Sequence, residues 1–306
     1  MEPVSMTIAG LSGTQRLDRA LRDRFPDWGR KAVGQAIYVG KVWVNGRQVW
    51  LSSWEVRNGD HIEVRDPPPA RASAAGEGPA LFDPAWLIAD DGDLIAINKP
   101  SGLLSEPTRW GAGANLRDLA QAHLGDVILF HRLDRDTSGV LLLTRPGKVN
   151  RWLAAAFQQR TVQKEYVALV RAPVQLEAEG TLRCLLAPDE QRMDRMAVVE
   201  RGGKHAVTRY RLGARFETEL GALQSIQLWP ETGRTHQLRI QLAHAGAPIL
   251  GDVLYGSAAT APRLMLHASR ISVPARPEQA GLPAAPARTF EAPLPVDFPA
   301  PSIRST

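Results

Sequence analysis

His131-Arg132-Leu133-Asp134-Arg135-Asp136-Thr137-Ser138-Gly139-Val140-Leu141-Leu142-Leu143-Thr144 sets two aspartates and two arginines directly ahead of an unbroken apolar run. A short apolar run bounded by turn residues is the pattern of a strand buried on both faces. Thr137, Ser138 and Gly139 supply the turn chemistry that leads into it. The charged half has two readings. A carboxylate flanked by guanidinium groups is held ionised, and an ionised carboxylate is what attack on a sugar or base carbon requires. The plain alternative is a solvated loop with salt bridges of little energetic weight.

Downstream, Trp152 to Gln159 reads as an amphipathic helix with Leu153, Ala156 and Phe157 inward. Gln163 to Val170 alternates, with Lys164, Tyr166, Ala168 and Val170 on one face, and Leu223 to Trp229 is a further strand candidate. Pro230 to Arg234 forms a turn, Thr235 is placed as an N-cap, and Leu238, Leu242 and Ala245 line one side of the helix that follows. Gly246 stops that helix at C′. Pro274 to Arg288 reads as a surface loop before a strand-like segment, Thr289 to Phe298. Strands outnumber helices without alternating with them, which predicts an α+β fold: a mixed, largely antiparallel sheet with peripheral helices.

Upstream, Pro67 to Ala80 (PPPARASAAGEGPA) has linker composition. It separates a small module, residues 14–66, from a large one, residues 81–306. In the small module Leu17, Leu21 and Phe25 share one helical face, and a second helix is predicted from Arg30 to Tyr38. Lys41 to Val49 is a hairpin around Asn45-Gly46, and Asn58-Gly59-Asp60 turns into the alternating His61 to Val64.

The chain of 306 residues carries a net charge of +5 with a pI near 9.6, a balance that leans towards a polyanionic partner. Seven Arg/Lys between residues 192 and 215, against Asp194 and Glu200, could track phosphates or form a solvated hairpin. The one cysteine, Cys184, excludes an internal disulfide, and no Cys/His cluster has zinc spacing. No metal and no cofactor are expected. The glycines from Gly34 to Val42 miss phosphate-loop spacing, and neither GxGxxG after a strand nor GxSxG occurs. Without a leader-like or membrane-spanning stretch, the expectation is a cytoplasmic monomer that does not engage a membrane.

HRLDRDTSGVLLLTR resembles the signature of RNA pseudouridine synthases of the RluA type. Segments in the same order support the resemblance: Asn98 to Leu104, Gln163 to Ala168, Thr232 to Arg239 with Gly246 to Asp252 and Tyr255-Gly256, Leu264 to Ala268, and Phe290 to Pro295. The resemblance implies a cofactor-free isomerase that breaks the glycosidic bond of uridine, turns the uracil and rejoins it through carbon 5. It implies Asp134 as the catalytic residue, Tyr166 as the tyrosine stacked on the base, and Arg239 as the cation paired with the carboxylate. Asp136 is at best supporting. Arg132 would enter the helix that the target base leaves, a base-flipping step costing a few kcal/mol. Leu264 and Leu266 would wall the base pocket or belong to the core. Gln241 departs from the family pattern, where a histidine is expected, and residues 105–115 are also less typical.

The small module resembles the RNA-binding domain named after ribosomal protein S-four (the αL motif), which implies RNA contacts at Arg30, Lys31, Lys41 and Arg47. The RNA partner would be ribosomal or transfer RNA. A non-catalytic RNA-binding factor on the same scaffold is the rival. It would lack Asp134, Tyr166 or Arg239, and all three are present. A hydrolase using Asp134 and Asp136 is disfavoured, because glycoside cleavage needs carboxyl groups across a pocket rather than two residues apart in a loop.

Overall fold

The computed structural model describes residues 4–25, 33–34, 36–37, 40–49, 54–65, 81–107, 114–189, 195–256, 261–278 and 281–299. The chain divides into two compact units, residues 1–76 with 107–113 and 188–195, and residues 77–106, 114–187 and 196–306. Among the described residues, no helix is long and apolar enough to cross a membrane.

The first unit holds β1 (Val4–Thr7), β2 (Gln15–Arg16), α1 (Leu17–Arg24), β3 (Val42–Val44), β4 (Arg47–Val49), β5 (Glu55–Val56) and β6 (His61–Val64). Its sheet runs β1-β6-β3-β4, all antiparallel, and so takes in Val4–Thr7, upstream of residue 14. Asn45 and Gly46 both adopt positive φ, 51° and 75°, the conformation a two-residue hairpin needs. The Asn45 side chain then ties this turn to the next one: its amide donates to Asp60 (2.8 Å) and its oxygen accepts the His61 N–H (2.8 Å). Leu17, Ala20 and Leu21 of α1 pack with Val42, Val44 and Ile62. Of the predicted second helix, Val33, Gly34, Ala36 and Ile37 are helical, with Val33, Ala36 and Ile37 buried. Arg30 and Lys31 lie outside the described residues.

The second sheet is built from β7 (Leu87–Asp90), β8 (Leu94–Lys99), β9 (Ile128–Leu129), β10 (Ser138–Thr144), β11 (Gln163–Arg171), β12 (Glu179–Pro188), β13 (Met196–Val199), β14 (Lys204–Thr218), β15 (Gly221–Pro230), β16 (Leu266–Val273) and β17 (Arg288–Glu291). Its order is β13-β12-β14-β15-β11-β16-β10-β8-β7, with β9 against β10 and β17 against β16. The β10–β16 pair is parallel and the β8–β10, β11–β15, β11–β16 and β14–β15 pairs are antiparallel. Helices α2 (Leu116–Leu124), α3 (Val149–Gln158) and α4 (Gln237–His244) complete a mixed α+β architecture. Every residue of β10 is buried, as its apolar run requires.

Three expectations are corrected. The helix placed at Trp152 begins at Val149, whose side chain is itself buried. Of the segment from Thr289 to Phe298 only the part up to Glu291 pairs as strand, because Pro293 and Pro295 bring no N–H to a ladder. The stretch from Pro274 to Arg288 is not wholly surface: Arg276 is buried, pairs with Asp93 at 3.0 Å and lies 5.7 Å over the Trp152 ring.

Gly139, second residue of the central strand, has φ +117°, a region essentially reserved for glycine. A Cβ there would also collide with the Ala268 backbone of neighbouring β16. Gly139→Ala is therefore expected to cost about 3–5 kcal/mol and to lower the melting temperature by about 10 °C. Calorimetry showing a shift under 2 °C would contradict it.

Candidate active site

The segment from Phe130 to Thr137 links β9 to β10, and it is cradled by the residues that follow β8. Register places Lys99 opposite Gly139, so both loops leave the same end of the sheet. Lys99 is fully buried, and its ammonium donates to the carbonyls of Pro100 (2.8 Å), Leu103 (2.8 Å) and Arg135 (2.9 Å). Burial pulls that ammonium down to about 7, against the pull of Asp136 and Asp134. Ser101 donates its hydroxyl to the Asp136 carbonyl (2.7 Å), and the Gly102 N–H donates to the Arg135 carbonyl (2.9 Å). Ser105 donates to the Leu133 carbonyl (2.7 Å) and accepts the Leu133 N–H (3.1 Å). Leu133 is thereby buried and Asp134, the next residue, keeps a side chain 29% exposed.

The cation nearest Asp134 is not a chain neighbour. Arg132 pairs with Glu106 at 2.8 Å, and Arg135 pairs with Asp136 at 2.9 Å. Both flanking arginines thus have another carboxylate as their ion-pair partner. Arg239 comes within 3.6 Å of Asp134 instead, with its own side chain only 5% exposed.

Arg239 stands on α4, whose residues Gln237 to Leu242 are all buried. One apolar face is thus too simple a description. Gln237 donates to the Val207 carbonyl (3.1 Å) and Thr208 hydroxyl (2.9 Å), and Gln241 accepts from Thr208 (2.6 Å) and donates to the Leu182 carbonyl (3.1 Å). These amides lock the helix onto β12 and β14, which gives Gln241 a structural place. The N-cap is His236, in the left-handed region at φ 54°, not Thr235. At the other end Gly246 has φ +77°, and the Ala247 N–H reaches back to the Leu242 carbonyl (2.9 Å), closing the helix as expected.

Arg239 is aimed by Asp252, which it grips through two hydrogen bonds of 2.8 Å each. Asp252 has a side chain with 0% exposure and also accepts the Leu254 (2.9 Å) and Tyr255 (3.1 Å) N–H groups. Burial alone would raise its pKa, but the Arg239 bonds and charge together with those amides outweigh burial and leave it below the ordinary value. The Tyr255 ring lies 5.3 Å from the Arg239 guanidinium. Its hydroxyl accepts the Met196 N–H (2.8 Å) and shares a hydrogen bond with His236 Nδ1 (2.9 Å). Burial keeps His236 below its ordinary pKa.

Tyr166 sits on β11 at a β-bulge: Glu165 faces Arg270 and Tyr166 faces Ala268, so Ser269 is the unpaired residue of β16. The ring is buried, and burial together with the nearby Asp134 charge pushes its phenol well above the usual value. It stays protonated across the neutral range. Leu264 and Leu266 are buried in the same apolar cluster as Tyr166 and Leu133. His267, not singled out by sequence, accepts from Ser138 (2.9 Å) and donates to the Ala292 carbonyl (3.2 Å); burial takes it to about 4.

In the first unit, Arg47 opens β4 opposite Val44, and Lys41 uses its backbone N–H on the Ala36 carbonyl (2.9 Å). The basic stretch is partly neutralised, with Arg209–Glu231 at 3.4 Å, Arg211–Glu179 at 3.2 Å and Arg195–Asp189 at 2.7 Å. Arg192 lies outside the described residues.

Comparison with known proteins places this arrangement. The model of the family described as RNA pseudouridylate synthase matches residues 93–244. The chain is 30% identical over 265 residues to the uncharacterized RNA pseudouridine synthase YlyB of Bacillus subtilis, covering 84% of each chain. This chain belongs to the RNA pseudouridine synthase family. It is also 32% identical to the ribosomal large subunit pseudouridine synthase D of Escherichia coli, over 81% of this chain and 75% of that one. The fold is shared with human RNA pseudouridylate synthase domain containing 1, at a TM-score of 0.54, 24% identity, and coverage of 61% and 78%. The synthase is an isomerase acting on RNA.

Lys99, Asp252, Tyr255 and His236, which the geometry brings to the candidate site, were not singled out as site positions by sequence reasoning. Asn98 to Leu104 and Gly246 to Asp252 with Tyr255 stood out only as family-like segments, with no sign that they hold a loop and a guanidinium. Lys99→Met in this synthase removes the donor from three carbonyls, and relief of the buried charge offsets part of that loss. A destabilisation of about 2 kcal/mol is expected, with kcat down about tenfold or more as the loop loosens. Urea denaturation and tritium release from 5-tritiated uridine in RNA measure the two effects. An unchanged urea midpoint would refute the cradle.

Proposed function

We propose that this synthase converts specific uridines of ribosomal or transfer RNA to pseudouridine, large-subunit ribosomal RNA foremost, with Asp134 as the catalytic carboxylate. One observation carries the assignment. Asp134 is the partly exposed carboxylate to which a buried, doubly anchored arginine is presented at 3.6 Å, beside the buried ring of Tyr166. A buried cation of this kind attracts and orients the carboxylate without saturating its oxygens.

In this reading Asp134 attacks the sugar or takes a proton from it, and Tyr166 packs on the uracil and stays protonated, able to deliver or relay a proton. Arg239 holds the carboxylate in place. Arg132, exposed and linked among the described residues only to Glu106, is placed to exchange that partner for the RNA helix that loses the base. Leu264 and Leu266 give the uracil an apolar floor. Residues 14–66 form an S-four-like RNA-binding domain contacting RNA through Arg30, Lys31, Lys41 and Arg47, residues 67–80 link it, and residues 81–306 form the catalytic domain. The ribosomal preference is supported by relatives bearing the name ribosomal large subunit pseudouridine synthase D.

Pseudouridine maps of total RNA test this, made from cells with the gene, without it, and with only the Asp134→Asn form. One or a few sites should vanish in the second and third. Persistence of every site, together with no tritium release by the purified protein on total RNA from the deletion strain, would refute it. Vanished sites confined to transfer RNA would move the substrate there.

A further inference from the structure

We propose that Lys164 is a phosphate-binding residue of this synthase, taking a backbone phosphate of the substrate RNA beside the everted uridine. This rests on the function proposed above and names a contact within the same site. Lys164 lies two residues before Tyr166 on β11, and successive even positions of a strand share a face. Its Nζ lies 3.7 Å from where a Cβ on Gly233 would stand, so the ammonium rests against the turn that leads into α4. Its charge acts on His131, in the loop that carries Asp134.

What distinguishes Lys164 is the lack of an acceptor. Around the site Arg239 is held by Asp252 and Asp134, Arg132 by Glu106, Arg135 by Asp136, and Lys99 by three carbonyls. Among the described residues, no hydrogen bond or ion pair engages the Lys164 ammonium. His131 cannot serve. Its Nε2 accepts the Leu142 N–H (3.0 Å), so its proton is on Nδ1, and that buried nitrogen has no partner of its own. Among the described residues, neither that N–H nor the Lys164 ammonium has an acceptor. The lysine is half-buried and burial lowers its pKa, so solvation of the charge is incomplete.

An ammonium kept partly out of water without a carboxylate is costly unless an anion completes it. RNA brings one phosphate per nucleotide, and a lysine next to the base-binding tyrosine is placed to take one flanking the flipped nucleotide. The contact sets register and orientation and reads no base. Because the charge is unfavourable in the free protein, its removal should not destabilise the fold. That separates a ligand site from a structural lysine.

The experiment compares wild type, Lys164→Met, Lys164→Arg and Asp134→Asn by tritium release from total RNA of a deletion strain grown on 5-tritiated uridine. Lys164→Met should raise the apparent KM about tenfold and leave kcat within twofold. The slope of log(kcat/KM) against log[salt] should flatten by roughly one contact's worth, about 0.7 to 0.9. Its melting temperature should equal or exceed that of wild type, and Lys164→Arg should recover most of the KM. An unchanged KM and salt slope in Lys164→Met overturns the proposal, and so does a lower melting temperature with kcat and KM both degraded. Activity in wild type that is lost in Asp134→Asn confirms the function independently. No release by wild type removes that function and this inference together.

Discussion

Asp134→Asn is expected to reduce kcat by at least about four orders of magnitude, the scale seen when a reacting side chain is removed from an enzyme. RNA affinity and melting temperature should stay close to wild type. The amide keeps the shape of the side chain and loses its charge. Attack on the sugar and abstraction of a sugar proton both need the negative oxygen, so either chemistry stops. The fold tolerates the change because Asp134 is partly exposed and its link to Arg239 is long, 3.6 Å, whereas Asp252 holds the same guanidinium through two bonds of 2.8 Å. Arg239 is therefore not left as an uncompensated buried charge. Single-turnover tritium release, with RNA binding measured on the same preparation, decides the matter. A residual kcat within tenfold of wild type would exclude Asp134 as the reacting group.

Arg239→Leu is expected to be both inactive and unstable, losing about 3–5 kcal/mol at neutral pH, the scale for breaking a buried ion pair from one side. Asp252 would then be an ionised carboxylate with no solvent exposure and, among the described residues, two backbone N–H groups as its remaining hydrogen-bond partners. The pH dependence has a definite sign. In the wild type, Asp252 has a pKa depressed below 3.8, so its stabilisation is complete above that value and fades as pH falls through the lower folded value. In Arg239→Leu, burial is opposed by the two backbone N–H bonds without the guanidinium, so the Asp252 pKa rises from its wild-type position. The variant then gains stability relative to wild type as pH falls from 7 towards 5, because protonation relieves the buried charge. Arg239→Leu combined with Asp252→Leu should recover most of the lost stability and none of the activity. Urea denaturation of the three proteins at pH 7 and pH 5 measures all of this. Equal destabilisation of Arg239→Leu at both pH values would show that Asp252 is not the group left stranded.

The two variants differ in how much of their rationale is visible before the chain folds. Asp134 announces itself through its charged neighbours and the apolar run behind it, and family-like segments point to Tyr166 and Arg239. The neighbours themselves mislead. Arg132 and Arg135 look like the partners of Asp134 because they are close in sequence, yet Glu106 and Asp136 take them as ion-pair partners. The cation that reaches Asp134 comes from α4, more than a hundred positions away.

Local physics was sufficient for local features. The continuous apolar run made β10 a buried strand, Asn45-Gly46 made a hairpin through positive φ at both positions, and Gly246 closed α4 through its left-handed backbone. The alternation around Tyr166 chose its face. Each depends on sterics or burial within a few residues, and such preferences survive without the rest of the molecule. Long-range register decided the remainder. Placing Lys99 opposite Gly139 and Ser138 opposite His267 brings the two loops and β16 together at one end of the sheet, and only then does a buried lysine find three carbonyls. The same closure buries α4 on every side and forces Arg239 and Asp252 into one desolvated pair. No periodicity encodes that pairing, because its energy comes from exclusion of water, which exists only once the sheet and helix have met.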